Sequence, residues 1–168
     1  MEKILVTTQL TFDDFKKLSF HLMYRHFVIK FLTGFGIFFT VLVILLYFLN
    51  GMEDFNTSGL ILGLVFTFML PIITYRSAKT NYSSNQRVSE NMTYEFDDSE
   101  ISIEGESFNT TLTWDKVFKV SESKDFILIW QSRQTANAIP RRDFSNDKFV
   151  KFRQIVSGID GIKNKLKK

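Results

Sequence analysis

The stretch Phe31–Leu49, FLTGFGIFFTVLVILLYFL, decides the fold because it runs for 19 residues without a charged side chain. At a rise of ~1.5 Å per residue, such a helix is about 28 Å long, which matches the ~30 Å hydrocarbon core of a bilayer. A core helix of a soluble protein normally keeps a polar face over that length. The stretch is also too long, and begins too late, for a cleaved signal peptide. We therefore predict a transmembrane helix over 31–49.

A second apolar run, Thr57–Tyr75, reads TSGLILGLVFTFMLPIITY. Its Pro71 is compatible with a membrane helix when neighbouring groups satisfy the freed carbonyl. From Phe31 to Tyr75 the only charged residues are Glu53 and Asp54, between the two runs. The pattern predicts a second transmembrane helix over 57–75 and a short extracytoplasmic loop over 50–56.

The basic residues near this helical hairpin lie on the sides away from the loop. They are Lys16, Lys17, Arg25 and Lys30 before the first helix, and Arg76, Lys79 and Arg87 after the second. The loop itself contains no Lys or Arg. Because basic residues are retained on the cytoplasmic side of a membrane, we predict a multi-pass protein with both termini in the cytoplasm.

The segment 1–30, before the first apolar run, carries two local patterns. Alternating residues over Lys3–Leu10 predict a short β-strand. Thr11, followed three residues later by Asp14, resembles a helix capping box. Apolar residues then recur at helical spacing, which predicts an amphipathic juxtamembrane helix that continues into the first span.

Small residues recur at four-residue spacing in both apolar runs. Gly36 and Thr40 form one such pair, and Gly59 and Gly63 form another. This spacing permits close approach of membrane helices. We expect Gly36 near the inner face and Gly63 near the outer face, so that the two do not meet within the hairpin. Each glycine would then pack against a bulky residue of the other helix, or one would contact a second chain.

After a polar connector over 76–91 the hydrophobic period changes to that of β-strands. Short alternating or apolar segments recur about every ten residues. They lie near 92–96, 101–104, 108–114, 117–120, 126–130 and 135–139. Ser145 then has the character of a helix N-cap, ahead of an apolar face at helical spacing. That face comprises Phe149, Phe152, Ile155, Val156 and Ile159. We predict an α+β membrane protein whose domain 92–168 is a small antiparallel β-roll or barrel capped by a C-terminal helix.

This order of elements, with Thr113–Val117 (TWDKV) and Ala138–Phe144 (AIPRRDF), resembles the YcxB-like family of bacterial membrane proteins. The resemblance covers most of the chain. It implies a pleckstrin-homology-like (PH-like) fold for the C-terminal domain and a location in the bacterial cytoplasmic membrane. It implies no particular activity.

Charge is divided unevenly along the predicted domain. Met92–Asp115 contains seven acidic residues and no Lys or Arg, whereas Lys116–Lys168 contains 13 basic and five acidic residues. The candidate contacts to an anionic ligand or lipid are Arg141, Arg142, Lys163, Lys165, Lys167 and Lys168. Arginine suits phosphate groups, but both arginines have an alternative role in ion pairs with Asp143 or with the acidic stretch 92–115. The four C-terminal lysines are equally compatible with contact to the anionic inner leaflet and with a solvated chain end.

The sequence offers no support for catalysis. It contains no cysteine and only two histidines, His21 and His26, which lie on different faces of a helix. It has no glycine-rich phosphate loop, calcium-loop pattern or basic module of nucleic-acid binding. We expect a non-enzymatic protein without a cofactor or metal, whose partners are the lipid bilayer and a protein, a lipid or a second copy. The alternatives are an immunity or stress protein against membrane-acting peptides and an accessory subunit of a membrane complex.

Overall fold

The computed structural model describes residues 3–50 and 57–166, which divide into two compact units. One unit, here the β domain, comprises Met1–Asp14 and Asn85–Lys168. The other, here the helical unit, comprises Phe15–Ser84. The predicted loop over 50–56 lies outside the described residues except for Asn50.

Among the described residues, three α-helices precede the point at which the strands of the β domain resume. They are α1 (Phe12–Met23), α2 (Phe27–Leu49) and α3 (Thr57–Ser84). The two predicted apolar segments are therefore helical, but α2 begins four residues earlier than the apolar run. Helix α3 continues nine residues further than predicted, because a helix does not end where its side chains become polar.

The predicted capping box at the start of α1 is present. The Thr11 hydroxyl accepts a hydrogen bond from the Asp14 amide at 3.2 Å, and the Asp14 carboxylate accepts one from the Thr11 amide at 3.0 Å. The predicted continuation into the first span is wrong. Helix α1 ends at Met23, and His26 has an extended backbone (φ −80°, ψ 127°) before α2 begins.

Helices α2 and α3 approach each other closely at small residues that lie on both helices. A Cβ added at Gly36 would lie 2.7 Å from the Thr67 amide nitrogen. A Cβ added at Gly63 would lie 3.0 Å from the Thr40 nitrogen and 3.2 Å from the Gly36 carbonyl. The expectation that Gly36 and Gly63 lie at different depths is therefore wrong. Both lie at one crossing, because the true bounds of the helices shift Gly36 close to the middle of α2.

The two threonines at this crossing are satisfied within their own helices. Thr40 donates to the Gly36 carbonyl at 2.8 Å, and Thr67 donates to the Gly63 carbonyl at 2.9 Å. Each Gly-xxx-Thr pair thus presents a small surface without an unpaired hydroxyl, and backbone packing holds the hairpin together.

We predict that Gly36→Ala destabilises the hairpin by about 1–3 kcal/mol, since the new methyl group meets α3 backbone that cannot move away. The matched control is Gly34→Ala in the same helix, where an added Cβ meets nothing within 4 Å. Denaturation of the full chain in mild detergent measures the stability of both variants. Equal stability of the two variants would contradict the packing described.

In its described residues, the β domain consists of two four-stranded sheets, one complete α-helix and short 3-10 helices. The first sheet has the order β1-β2-β3-β4 and is antiparallel throughout. The second has the order β7-β6-β5-β8, in which β8 pairs in parallel with β5. The strands are β1 (Ile4–Gln9), β2 (Asn91–Phe96), β3 (Glu100–Glu104), β4 (Asn109–Thr113), β5 (Lys119–Glu122), β6 (Phe126–Trp130), β7 (Ala136–Pro140) and β8 (Lys163–Lys165), with helix α4 (Asn146–Gly158) before β8.

Strand β1 belongs to the β domain although the three helices separate it from β2. Its residues pair with β2 from Ile4 opposite Phe96 to Gln9 opposite Asn91. A domain restricted to 92–168, as the sequence predicts, therefore omits one strand. Local periodicity identifies the strand but contains no information about its distant partner.

The core of the β domain is formed by the facing sides of its two sheets together with α4. Helix α4 starts as predicted, with the Ser145 hydroxyl accepting from the Lys148 amide. Its apolar face contributes Phe149, Phe152, Ile155 and Val156. The predicted buried strand at 126–130 is confirmed, because all five residues of β6 are buried.

The uneven charge along the sequence becomes a division between the sheets. The acidic stretch 92–115 folds into β2, β3 and β4 of the first sheet, and the basic stretch supplies the whole second sheet and α4. The β domain is therefore electrically polarised in space as well as in sequence.

Candidate functional site

The most strongly built polar cluster of the β domain centres on Asp14 and Arg142. Arg142 Nη1 and Nη2 donate to the two carboxylate oxygens of Asp14 at 2.5 and 2.6 Å. Asp14 is only 4% exposed, whereas the side chain of Arg142 is 54% exposed. The pair is thus a two-pronged ion pair with a buried acid and a partly hydrated base.

Further hydrogen bonds surround the buried carboxylate. Thr11 donates to Asp14 through its amide and, at 2.6 Å, through its hydroxyl. The buried Thr8 of β1 donates to Asp143 at 2.6 Å, and Arg142 Nε lies 3.5 Å from the same Asp143 carboxylate. The cluster therefore fastens β1 and the first turn of α1 to the short 3-10 helix at 141–143.

The hydrogen bonds from Arg142 hold the pKa of the Asp14 carboxyl well below its usual range, although burial acts in the opposite direction. The hydrogen bonds from Thr11 lower this pKa further. Asp14 is consequently an anion at physiological pH, and the cluster stabilises a fixed charge instead of supplying a proton donor.

The neighbouring Arg141 is also engaged by groups of the β domain. Its guanidinium carbon lies 3.7 Å from the centre of the Phe149 ring, and its Nε lies 3.8 Å from the Glu122 carboxylate. Its Nη1 donates to the Phe144 carbonyl at 3.2 Å. Both arginines singled out as candidate anion contacts thus have acidic partners within the protein. Asp143 is a partner that the sequence suggested, whereas Asp14 and Glu122 lie outside the acidic stretch 92–115.

The lysines of the C-terminal segment occupy a different place. Lys163 and Lys165 lie in β8, an exposed edge strand that the sequence analysis did not predict. Lys167 and Lys168 lie outside the described residues. The structure therefore separates the four described candidate residues into an arginine pair at 141–142 and a lysine edge at β8.

Two features of these sites lay beyond sequence reasoning. Asp14 is recognisable as a capping residue, but no local signal connects it to Arg142, 128 positions away. Strand β8 is only three residues long and polar, so it has no hydrophobic alternation.

Across the described ranges, no group of three or more His, Asp or Glu side chains is arranged to hold a metal ion.

Comparison with known proteins relates the chain to a protein family. A family model described as "YcxB-like protein" matches residues 96–156, from the end of β2 into α4. Residues 96–156 are therefore similar to the YcxB-like family. A relative named "Uncharacterized protein YcxB", from Bacillus subtilis (strain 168), is 26% identical over 163 residues, covering 92% of this chain and 88% of the relative. No solved structure gives a significant match.

The match to the YcxB-like family has a defined place in the structure. The matched segment contains Arg141 and Arg142 but not Asp14, β1, β8 or the helical unit. The similarity to the Bacillus relative, in contrast, extends over nearly the whole chain. The resemblance stated from the sequence is confirmed at the level of the family.

We predict an asymmetry between the two halves of the buried ion pair. Arg142→Ala leaves the Asp14 carboxylate buried without its main partner and should cost about 3–5 kcal/mol of unfolding free energy. Asp14→Asn leaves an arginine that is already half hydrated and should cost about 1–2 kcal/mol. Urea unfolding of the full chain in detergent measures both, with the exposed Lys124→Ala as the control. A larger loss for Asp14→Asn would contradict the burial difference.

The same cluster predicts a dependence of stability on pH. Because folding lowers the pKa of Asp14, its contribution is complete above the unfolded-state pKa of about 3.9 and declines as the pH falls further. The difference in unfolding free energy between the wild type and Asp14→Asn should therefore shrink as the pH decreases from about 5 to about 3. A difference that stays constant over this range would argue against a buried Asp14 anion.

Proposed function

We propose that this YcxB-like chain is a non-enzymatic protein of the bacterial cytoplasmic membrane. In this proposal α2 and α3 cross the bilayer, both termini lie in the cytoplasm, and the β domain is a PH-like module that binds a protein or lipid partner. The observation that carries the proposal is the outward exposure of two long apolar helices.

Helices α2 and α3 are both long and apolar enough to cross a membrane. Only 11% and 6% of the residues in their most apolar windows are buried within the protein. The exposed side chains include Phe31, Phe38, Leu45, Ile61 and Phe68. Soluble monomers rarely expose contiguous apolar patches beyond a few hundred Å². A bilayer is the solvent in which this surface is stable.

The pairing of β1 with β2 supports a same-side arrangement of the two flanks. Gln9 and Asn91 lie opposite each other in the first sheet, so the chain leaves and re-enters the β domain at one place. A chain that crosses the membrane twice returns to the side of the membrane from which it started. The basic residues outside the hairpin and the acidic residues within its loop favour the cytoplasm as that side.

The architecture of the β domain supports the PH-like interpretation. It combines an antiparallel meander with a second sheet and a C-terminal helix that completes the core. In this interpretation the helical hairpin is an insertion between the first two strands of the fold. Function in such a module depends on surface sites, because fold alone does not specify an activity.

We predict that a cysteine replacing Glu53 reacts with a membrane-impermeant maleimide in intact spheroplasts. A cysteine replacing the exposed Thr111 of β4 should react only after lysis. The chain has no native cysteine, so each label reports one site. Extraction of the wild-type chain by alkaline carbonate tests the anchor separately.

Two results would overturn parts of the proposal. Labelling of position 53 only after lysis would reverse the orientation, because the loop would then face the cytoplasm. Complete release of the chain by carbonate would remove the membrane anchor altogether.

A further inference from the structure

We propose that the exposed edge of β4 (Asn109–Thr113) pairs with the same strand of a second copy of the chain. The contact is an antiparallel β4–β4 ladder around a two-fold axis at Thr111. The inference names a second copy as the protein partner of the β domain. It rests on the proposed function only for the membrane that concentrates the two chains.

The described sheets end in four edge strands, and β4 differs from the other three. Strand β8 carries Lys163 and Lys165, and β7 ends in Pro140 with its last three residues buried. Strand β1 packs against α4 and the 3-10 helix at 141–143. Lysine, proline and a covering helix are means by which proteins keep an edge from pairing with another chain. Strand β4 (NTTLT) contains no charged residue or proline, and four of its five residues are exposed.

The backbone of β4 directs hydrogen-bonding groups outward along this edge. At the two ends of the β3–β4 ladder, the Gly105 amide donates to the Phe108 carbonyl at 2.8 Å, and the Trp114 amide donates to the Ser99 carbonyl at 3.4 Å. Because hydrogen-bonded pairs alternate in an antiparallel ladder, positions 110 and 112 bond to β3, and positions 109, 111 and 113 direct their amides away from it. Within the described part of the chain, these three amides have no acceptor.

The sequence of β4 is complementary to itself in an antiparallel register centred on Thr111. In this register Thr111 lies opposite Thr111 of the second copy, and Asn109 lies opposite Thr113. The positions with outward amides therefore meet one another, and their backbone groups form a hydrogen-bonded ladder. Threonine pairs stabilise neighbouring strands, and no like charges lie opposite each other.

The acidic residues of β3 are too distant to oppose this contact. Glu100 and Glu104 lie opposite Thr113 and Asn109 of β4. In the paired sheets, Glu100 of one copy therefore faces Glu104 of the other with both β4 strands between them. At ~4.8 Å between neighbouring strands, the two carboxylates are separated by about 14 Å. This separation exceeds the Debye length of ~8 Å at physiological ionic strength, so the repulsion is screened.

Membrane anchoring supplies the concentration that so small a contact needs. A standard protein interface comprises ~20–30 residues on each side, whereas β4 contributes five. Two chains anchored in one bilayer share a thin layer and a common orientation, which raises the effective concentration of each edge for the other. This step depends on the proposed anchor, whereas the pairing geometry depends on the β domain alone.

The experiment uses the full chain in proteoliposomes at a low ratio of protein to lipid. A short bifunctional thiol reagent links cysteines only at directly opposite positions. Thr111→Cys tests the two-fold position, and a mixture of differently tagged Asn109→Cys and Thr113→Cys chains tests the register. The matched control is Ser102→Cys in β3, which lies beside Thr111 on the same face of the sheet but one strand inside the edge. The chain has no native cysteine, so each cross-link reports one site.

We expect a cross-linked dimer at position 111 and between positions 109 and 113. Two copies of position 109 should not cross-link, because they lie about 14 Å apart at ~3.4 Å per residue. Position 102 should stay monomeric, because two strands separate its copies. Thr111→Lys should reduce the cross-link between 109 and 113 roughly fivefold, since like charges then lie directly opposite each other. Thr7→Lys, at an exposed position of the edge strand β1, should leave that yield unchanged.

Four results would overturn the inference. They are no cross-link at 111, equal yields for the 109–109 and 109–113 combinations, no response to Thr111→Lys, and, in native membranes, a cross-link from 111 to a different protein without the dimer. Release of the chain from the liposomes by alkaline carbonate would instead refute the membrane anchor, so the two failures are distinguishable.

Discussion

The antiparallel pairing of β1 with β2 constrains everything that lies between them along the chain. Gln9 and Asn91 are direct partners in the sheet, yet α1, α2 and α3 separate them in sequence. Closing so long a loop costs conformational entropy, although the cost grows only slowly with loop length. A helical hairpin reduces this cost because it returns the chain to its starting side before the strands pair. Hairpin packing and strand pairing therefore support each other.

The buried carboxylate of Asp14 shows how the start of α1 is fixed to this frame. A buried charge is costly unless it is paired and fully hydrogen-bonded. Asp14 meets this condition with two N–H groups of Arg142 and two donors of Thr11. A lysine would supply only a point charge, whereas the planar guanidinium matches both carboxylate oxygens at once. Asp14, a member of the capping box, is thus also the residue that attaches the first turn of α1 to the 3-10 helix at 141–143.

Local patterns in the sequence were sufficient for most of the elements, with β8 as an exception, but not for their partners. The alternation over Ile4–Gln9, the apolar run of β6 and the face of α4 each follow from side chains close in sequence, and the structure contains all three. The meeting of Gly36 with Gly63 depends on where the helices begin and end, which apolar composition does not define. The Asp14–Arg142 pair and the β1–β2 register depend on contacts between distant segments, for which a single sequence has no signal.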